Sequence, residues 1–400
     1  MSLDLEQVAA QIAEMAETLE ARRADREVKL NFALNTMRSL PDDIDKLKRK
    51  IDESKTTWLV AGLTESITSC RQPVPCPEDN VVLATDGSQI DVDRHYSTRC
   101  FLLNIGVVRL DYGQNADARL SSIPLLYFKD DDMVIADDKG RQQVIEGPLL
   151  GLKRTVEECR VLTGEGKQLP EALPALLLVD GSLILWGIVG QTYPDYVVQE
   201  LLVDGFIKQL DELKALSMRR KLALASYVSF PRSTDVVNAV RIAICPFETV
   251  DCDKNCPSAN GHRECDAVDG LLDRELFERL LSPGERSALF ISRSSVVGKY
   301  YGDNEIRFFY VKIDGEIARV EVPLWVAVNR ELTDFVHTMV LEQCRKGMGY
   351  PVSLAEAHEM AVVTEADRSR FWRTVEQFYS GDKMVLNISE KQKSKRMRWI

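Results

Sequence analysis

The chain has 400 residues, with 51 Lys and Arg against 62 Asp and Glu, a formal net charge of −11. Hydrophobic residues make up 45% and charged residues 28%, the values of a folded globular chain, which excludes a mostly disordered one. The acidic balance excludes a histone-like coat for nucleic acid, but not an enzyme with one local basic groove.

Residues 1–57 read as two long amphipathic helices. Leu5, Val8, Ile12, Met15 and Leu19 step by threes and fours along one stripe, and Ile44, Leu47 and Ile51 repeat it after Pro41. Such a stripe packs on the chain's own core or forms an oligomerisation surface. A polar linker, 58–79, carries Cys70, Pro73, Pro75, Cys76 and Pro77. From there the pattern changes to short apolar runs, with strands expected at 81–85, 101–108, 125–128, 176–179 and 222–228. Helical spacing covers 146–163 and 196–217, and further strands are expected at 287–292, 305–313 and 317–322. Helices follow at 328–346 and 353–361, and 366–400 reads as a C-terminal helix with a basic tail. Strands interleaved with helices mean an α/β fold, a mixed sheet flanked by helices, with an N-terminal helical segment. No apolar stretch approaches the roughly 20 residues of a membrane helix, and no signal peptide is apparent, so a cytoplasmic protein with reduced thiols is expected.

One phrase occurs twice. Asp86-Gly87-Ser88 and Asp180-Gly181-Ser182 each follow a buried apolar strand. Sites in α/β sheets gather at strand C-termini, and the glycine permits a tight turn or a close backbone approach. Side by side, the two strands would bring two carboxylates to one sheet edge. A third would come from Glu157 or Glu158 on the preceding helix. Carboxylate clusters hold Mg²⁺ or Mn²⁺, and paired ions clamp the oxygens of a phosphoryl displacement. The alternative is plain turn chemistry.

Cys245, Cys252, Cys256 and Cys265 fall within 21 residues, in a Cys-rich insert spanning 245–265, with His262 nearby. Four thiolates at this spacing make a candidate structural site for Zn²⁺ or an iron–sulfur cluster. Unmetallated thiols are the alternative, since the spacing is not a standard zinc-ribbon pair.

From about residue 80 to 365 the chain resembles the NurA family of DNA-repair nucleases. The resemblance rests on phrases in order: Asp86-Gly87-Ser88; Asp180-Gly181-Ser182-Leu183; Tyr227-Val228-Ser229-Phe230-Pro231-Arg232-Ser233; Arg319-Val320-Glu321-Val322-Pro323-Leu324-Trp325; and Gly349-Tyr350-Pro351 leading to Ala357-His358-Glu359. It implies a ribonuclease H-like core and a Mn²⁺- or Mg²⁺-dependent nuclease. The implied activity resects DNA 5′→3′ in double-strand break repair, with endonuclease action on single strands. Carried over by position, Asp86 and Asp180 are metal ligands. Glu157, which directly follows Val156 as in the family, is the preferred third carboxylate over Glu158. Tyr350 and His358 match the family's late active-site tyrosine and histidine. His358 would ligate a second metal or carry a proton. Arg232, Arg293, Lys299 and Arg319 are candidates to neutralise phosphates, with Lys299 also a candidate for the family's catalytic lysine. Arg319 and Glu321 share a strand face, so an ion pair between them is an equal reading.

The resemblance further implies a homodimer and a partner, the HerA-type hexameric ATPase. The chain has no Walker loop, so any ATP-driven motion must come from another protein. Three other functions fit parts of the pattern. They are a catalytically silent DNA-binding or scaffold subunit, an RNA-directed nuclease on the same fold, and a phosphohydrolase acting on small molecules.

Overall fold

A computed structural model describes residues 4–41, 44–93, 99–189, 193–256 and 263–381. The chain divides into two compact units, each assembled from separated stretches. Unit 1 comprises Met1–Pro73, Val228–Ser294 and Arg307–Val320; unit 2 comprises Val74–Tyr227, Ser295–Ile306 and Glu321–Ile400.

Unit 2 is built on five strands: β1 (Asn80–Ile90), β2 (Phe101–Tyr112), β3 (Asp117–Tyr127), β4 (Ala175–Asp180) and β5 (Leu222–Val228). Their order is β3-β2-β1-β4-β5. The first three run antiparallel, whereas β1, β4 and β5 are mutually parallel. This mixed sheet, flanked by helices, is the ribonuclease H-like arrangement. β1 is longer than its apolar run implies. It continues through Asp86 to Ile90, paired residue by residue with β2, so Asp86 lies inside the strand rather than at its end.

Side chains alternate across the sheet. Val81 and Leu83 on β1, with Phe101, Leu103 and Ile105 on β2, enter one large core. Helix α1 (Pro148–Lys167) closes that core with Leu149, Val156 and Leu162. Pro148 suits its first turn, where no backbone N–H is needed. Burying each such side chain is worth roughly 1.5–3 kcal/mol. The helical run expected at 196–217 is present as Asp195–Val198, a π-helical stretch Gln199–Ile207, and Lys208–Ser217. Helix α2 (Arg330–Lys346) and helix α3 (Val352–Ala361) complete the parts that matter for the site.

Unit 1 has its own core, in which Leu30, Leu34 and Met37 join Val236, Val240, Phe277, Phe290, Phe308 and Tyr310. A hairpin whose residues 307–320 belong to unit 1 joins Ile306–Ile313 to Glu316–Pro323 through Asp314-Gly315. Gly315 sits at φ +96°, the left-handed conformation a two-residue hairpin turn demands. The N-terminal helix, Leu5–Ser39, stops just before Pro41, and the second helix is short, Asp45–Asp52. Only the last third of the long helix is buried. Its stripe residues Leu5, Ile12, Met15 and Leu19 are 52–70% exposed. No described helix is long and apolar enough to cross a membrane. The basic tail at 391–399 and His262 lie outside the described residues.

Candidate active site

The parallel register of β1 and β4 pairs Thr85 with Val179, so the next residues, Asp86 and Asp180, sit on neighbouring strands. On β1, Thr85 and Gly87 point to the α1 face; Asp86 and Ser88 point to the other.

On the α1 face the third carboxylate is Glu158. A Cβ built on Gly87 would stand 2.3 Å from Glu158 Oε1 and 3.0 Å from Arg154 Cγ, so only glycine lets this helix approach. The Thr85 hydroxyl donates to the Glu158 carbonyl at 3.2 Å, and Arg154 Nε lies 3.1 Å from Glu158 Oε1. Burial pushes the Glu158 carboxyl up to about 7; Arg154 opposes this, and the charges of Asp86 and Asp180 add to it. Asp180 lies at the open end of β4, yet loss of water around its carboxyl pushes it upward too, against the Tyr350 hydrogen bond and with Asp86 adding.

The opposite face seats α3. A Cβ on Gly106, the cross-strand partner of Asp86, would meet the Ala357 carbonyl oxygen at 2.1 Å and the Ala361 nitrogen at 2.7 Å. The neighbouring cross-strand pair, Ser88 and Asn104, donates to the Ala361 carbonyl, with Asn104 also reaching that of Met360. These carbonyls end the helix and would otherwise lack partners. The helix so placed brings His358 Nδ1 to 2.7 Å from Asp86 Oδ2. Just before it, the Tyr350 hydroxyl donates to Asp180 Oδ1 at 2.9 Å, and its ring packs edge-on against Tyr227. Burial and the Asp180 charge raise the Tyr350 phenol, so it stays a neutral donor.

The two Asp-Gly-Ser phrases therefore use glycine differently. Gly87 admits a helix, whereas Gly181, at φ +81°, turns the chain sharply after β4. Beyond that turn, Glu321 accepts from the Ser182 hydroxyl at 2.7 Å and the Leu183 amide at 2.9 Å, pinning the loop that follows Asp180.

Of the two glutamates, the structure sets Glu158 against Gly87 and not the preferred Glu157. Glu157 turns away on α1, 2.9 Å from Arg160 Nη1 and 3.5 Å from Lys153 Nζ. Adjacent helix residues point about 100° apart, so the roll of α1 on the sheet decides which glutamate meets the sheet at Gly87. Of the four basic candidates, Lys299 lies over the Tyr300 ring. The other three belong to unit 1. Arg232 is exposed. Arg293 donates to the carbonyls of Ile51 and Asp52. Arg319 is buried against Asp235 at 3.0 Å and over the Phe308 ring, a structural setting unsuited to phosphate. The cation beside the carboxylates is Arg154, which sequence reasoning did not single out. Its signal was the i, i+4 spacing to Glu158. Gly106 was also missed, although a glycine inside an apolar strand marks a close approach.

Among the described residues, no three His, Cys, Asp or Glu side chains are already gathered into a metal cage. The donor set at this site still fits a hard divalent cation. It offers carboxylate oxygens, two of them on acids whose mutual repulsion a cation would relieve. Asp86, Asp180 and Glu158 would hold it, with His358 beside Asp86.

The chain matches the NurA domain over residues 80–363. No curated protein matches it. Among solved structures it is similar to endonuclease V from Bacillus subtilis, at 9% identity over 86% of this chain and 96% of that one, TM-score 0.31. It is also similar to Argonaute from Aquifex aeolicus, at 9% identity over 71% of this chain and 28% of that one, TM-score 0.26. A third similar structure is LC9-RNase H1, at 11% identity over 42% of this chain and 71% of that one, TM-score 0.20. These likenesses are loose, and the family rests on the sequence match. That match spans well over half of the 400 residues, from the first strand of the mixed sheet to just beyond the helix that carries His358, and by it the chain belongs to the NurA family.

Proposed function

We propose that the chain is a divalent-metal-dependent DNA nuclease, resecting DNA ends 5′→3′ in double-strand break repair. The observation that carries the reading is the gathering of Asp86, Glu158 and Asp180 at the sheet, where Asp86 and Asp180 push the Glu158 carboxyl up and Asp86 does the same to Asp180. A fold gains nothing from gathering like charges, whereas a cation-dependent hydrolase requires it.

Bound there, Mn²⁺ or Mg²⁺ would supply Lewis acidity toward the phosphate and the attacking water. The chain's own groups do the rest. Tyr350 fixes the orientation of Asp180, and His358 fixes that of Asp86. The His358 side chain is 64% exposed, so it can pass a proton between substrate and solvent. Arg154, about one-third exposed, offers positive charge to a phosphate beside the acids. Family membership supports DNA as substrate, a cytoplasmic homodimer, and a HerA-type hexameric ATPase as partner. The exposed apolar stripe on the N-terminal helix supports self-association.

The test is cleavage of end-labelled DNA and RNA, single- and double-stranded, with Mn²⁺, Mg²⁺ or EDTA, for wild type and Asp86→Asn. DNA cleavage that needs metal and is lost in the variant bears out the reading. Preference for RNA moves the enzyme to an RNA-directed one. Silence in every metal, with a HerA-type ATPase present, leaves a scaffold subunit.

A further inference from the structure

Four of the nine cysteines, Cys245, Cys252, Cys256 and Cys265, line one cavity of about 20 Å³ in unit 1. They reach it from separate pieces of backbone. Cys245 caps the Asp235–Ile244 helix, Cys252 opens and Cys256 follows the single turn Cys252–Asn255, and Cys265 lies in the turn Glu264–Val268. Residues four apart on a helical turn share a face, which aims Cys252 and Cys256 the same way. None of the four is in a disulfide.

Two further observations point to charge at this place. Arg241 and Arg263 line the same cavity. The Nε atom of each is buried with no hydrogen-bond partner, a condition that costs about 1–3 kcal/mol per donor. Arg241 already pairs through its Nη atoms with Asp266 at 3.4 Å and Asp269 at 3.0 Å, so what thiolate sulfurs would add is an acceptor for the two Nε donors. The chain here is held at a few points: Val250 is buried in the core of unit 1, and Lys50 Nζ donates to the Cys245 carbonyl. Lys55 bridges to it through its amide, at 2.8 Å from the Val250 carbonyl, and its carbonyl, at 3.0 Å from the Cys252 amide. Beyond that, the described backbone between Cys245 and Cys265 has only short turns.

We propose that Cys245, Cys252, Cys256 and Cys265 hold a single structural Zn²⁺ ion. Four soft sulfur ligands select zinc and leave no open coordination position, so the role is structural. The cavity, about 20 Å³, has room for one ion. Since no three of these side chains already form a cage, binding turns the sulfurs inward and releases their protons. Four thiolates around Zn²⁺ leave a net charge of about −2, which the two arginines flank.

The experiment uses the full-length chain, purified from zinc-replete cells without chelator. Elemental analysis should find about one zinc per chain, released in step with four thiols as a mercurial reagent is added. Cys252→Ser and Cys265→Ser should lose the zinc; Cys76→Ser and Asp86→Asn should keep it, separating this site from the carboxylates. If the serine variants do not fold, the wild-type stoichiometry and the coupled release decide alone. Zinc-free protein with freely reactive thiols overturns the proposal. So does iron with labile sulfide, and so does a disulfide among the four.

Discussion

In unit 1, Asp273 is wholly buried and accepts the amides of Val236 and Val237, at 3.0 and 2.8 Å, and the Tyr310 hydroxyl at 2.7 Å. Its neighbour Asp235 pairs with Arg319 at 3.0 Å. In unit 2, Glu158 is also buried but has Arg154 as its cation and two further acids close by. Burial raises both carboxyls, Asp273 to about 6 and Glu158 to about 7. A raised carboxyl alone therefore does not mark a site. The partners do. Asp273 caps the N-terminus of a helix and completes a hydrogen-bond network, so it serves structure. In unit 2, Asp86 and Asp180 on their strands and Glu158 on α1 gather like charges instead of completing such a network.

The sharpest test of this contrast is Asp86→Asn. Cleavage should fall on the order of 10³-fold, about 4 kcal/mol of barrier, with circular dichroism unchanged. Asp273→Ala should do the reverse. It strands a buried hydroxyl and two amides, so denaturant unfolding should show a loss of about 3–5 kcal/mol, while the folded fraction keeps its turnover. A folded Asp273→Ala chain that cannot cut would break the comparison.

A pH series extends it. Glu158 is raised from 4.5 to about 7, so in metal-free protein the folded state holds a proton that the unfolded chain has released. Its stabilising share is full below about pH 4.5 and is lost as pH rises to about 7, a drop of about 3 kcal/mol. Thermal unfolding across that window should show the decline, Glu158→Gln should flatten it, and Mn²⁺ should offset it at pH 7 and above. The smallest effect belongs to Glu157→Gln. Its carboxylate serves Arg160 and Lys153, so the cleavage rate should change less than about threefold, under 1 kcal/mol.

The strands and most helices were legible because their signals are local. Leu222–Val228 appears where the apolar run lies, and the strands expected at 305–313 and 317–322 appear as Ile306–Ile313 and Glu316–Pro323. Asp86 and Asp180 were legible for the same reason, each standing after a buried run. The choice between Glu157 and Glu158 was not, because it depends on how α1 rolls against Gly87, 70 residues away. Nor was the fate of Arg319. Its partner Asp235 comes from a helix 84 residues earlier. The seat of α3 on Gly106 likewise joins residues about 250 apart, a pairing no local pattern encodes.

That seat has a consequence for the timing of biosynthesis. Asp86 meets His358 across 272 residues, and the helix bearing His358 settles only against strands made much earlier. At about 5–20 residues per second, a ribosome needs roughly 15–50 s between the two. Through that interval the emerging chain carries its carboxylates without the segment that orients them. The active arrangement is thus a late product of translation, and a truncated chain ending before residue 350 lacks both Tyr350 and His358.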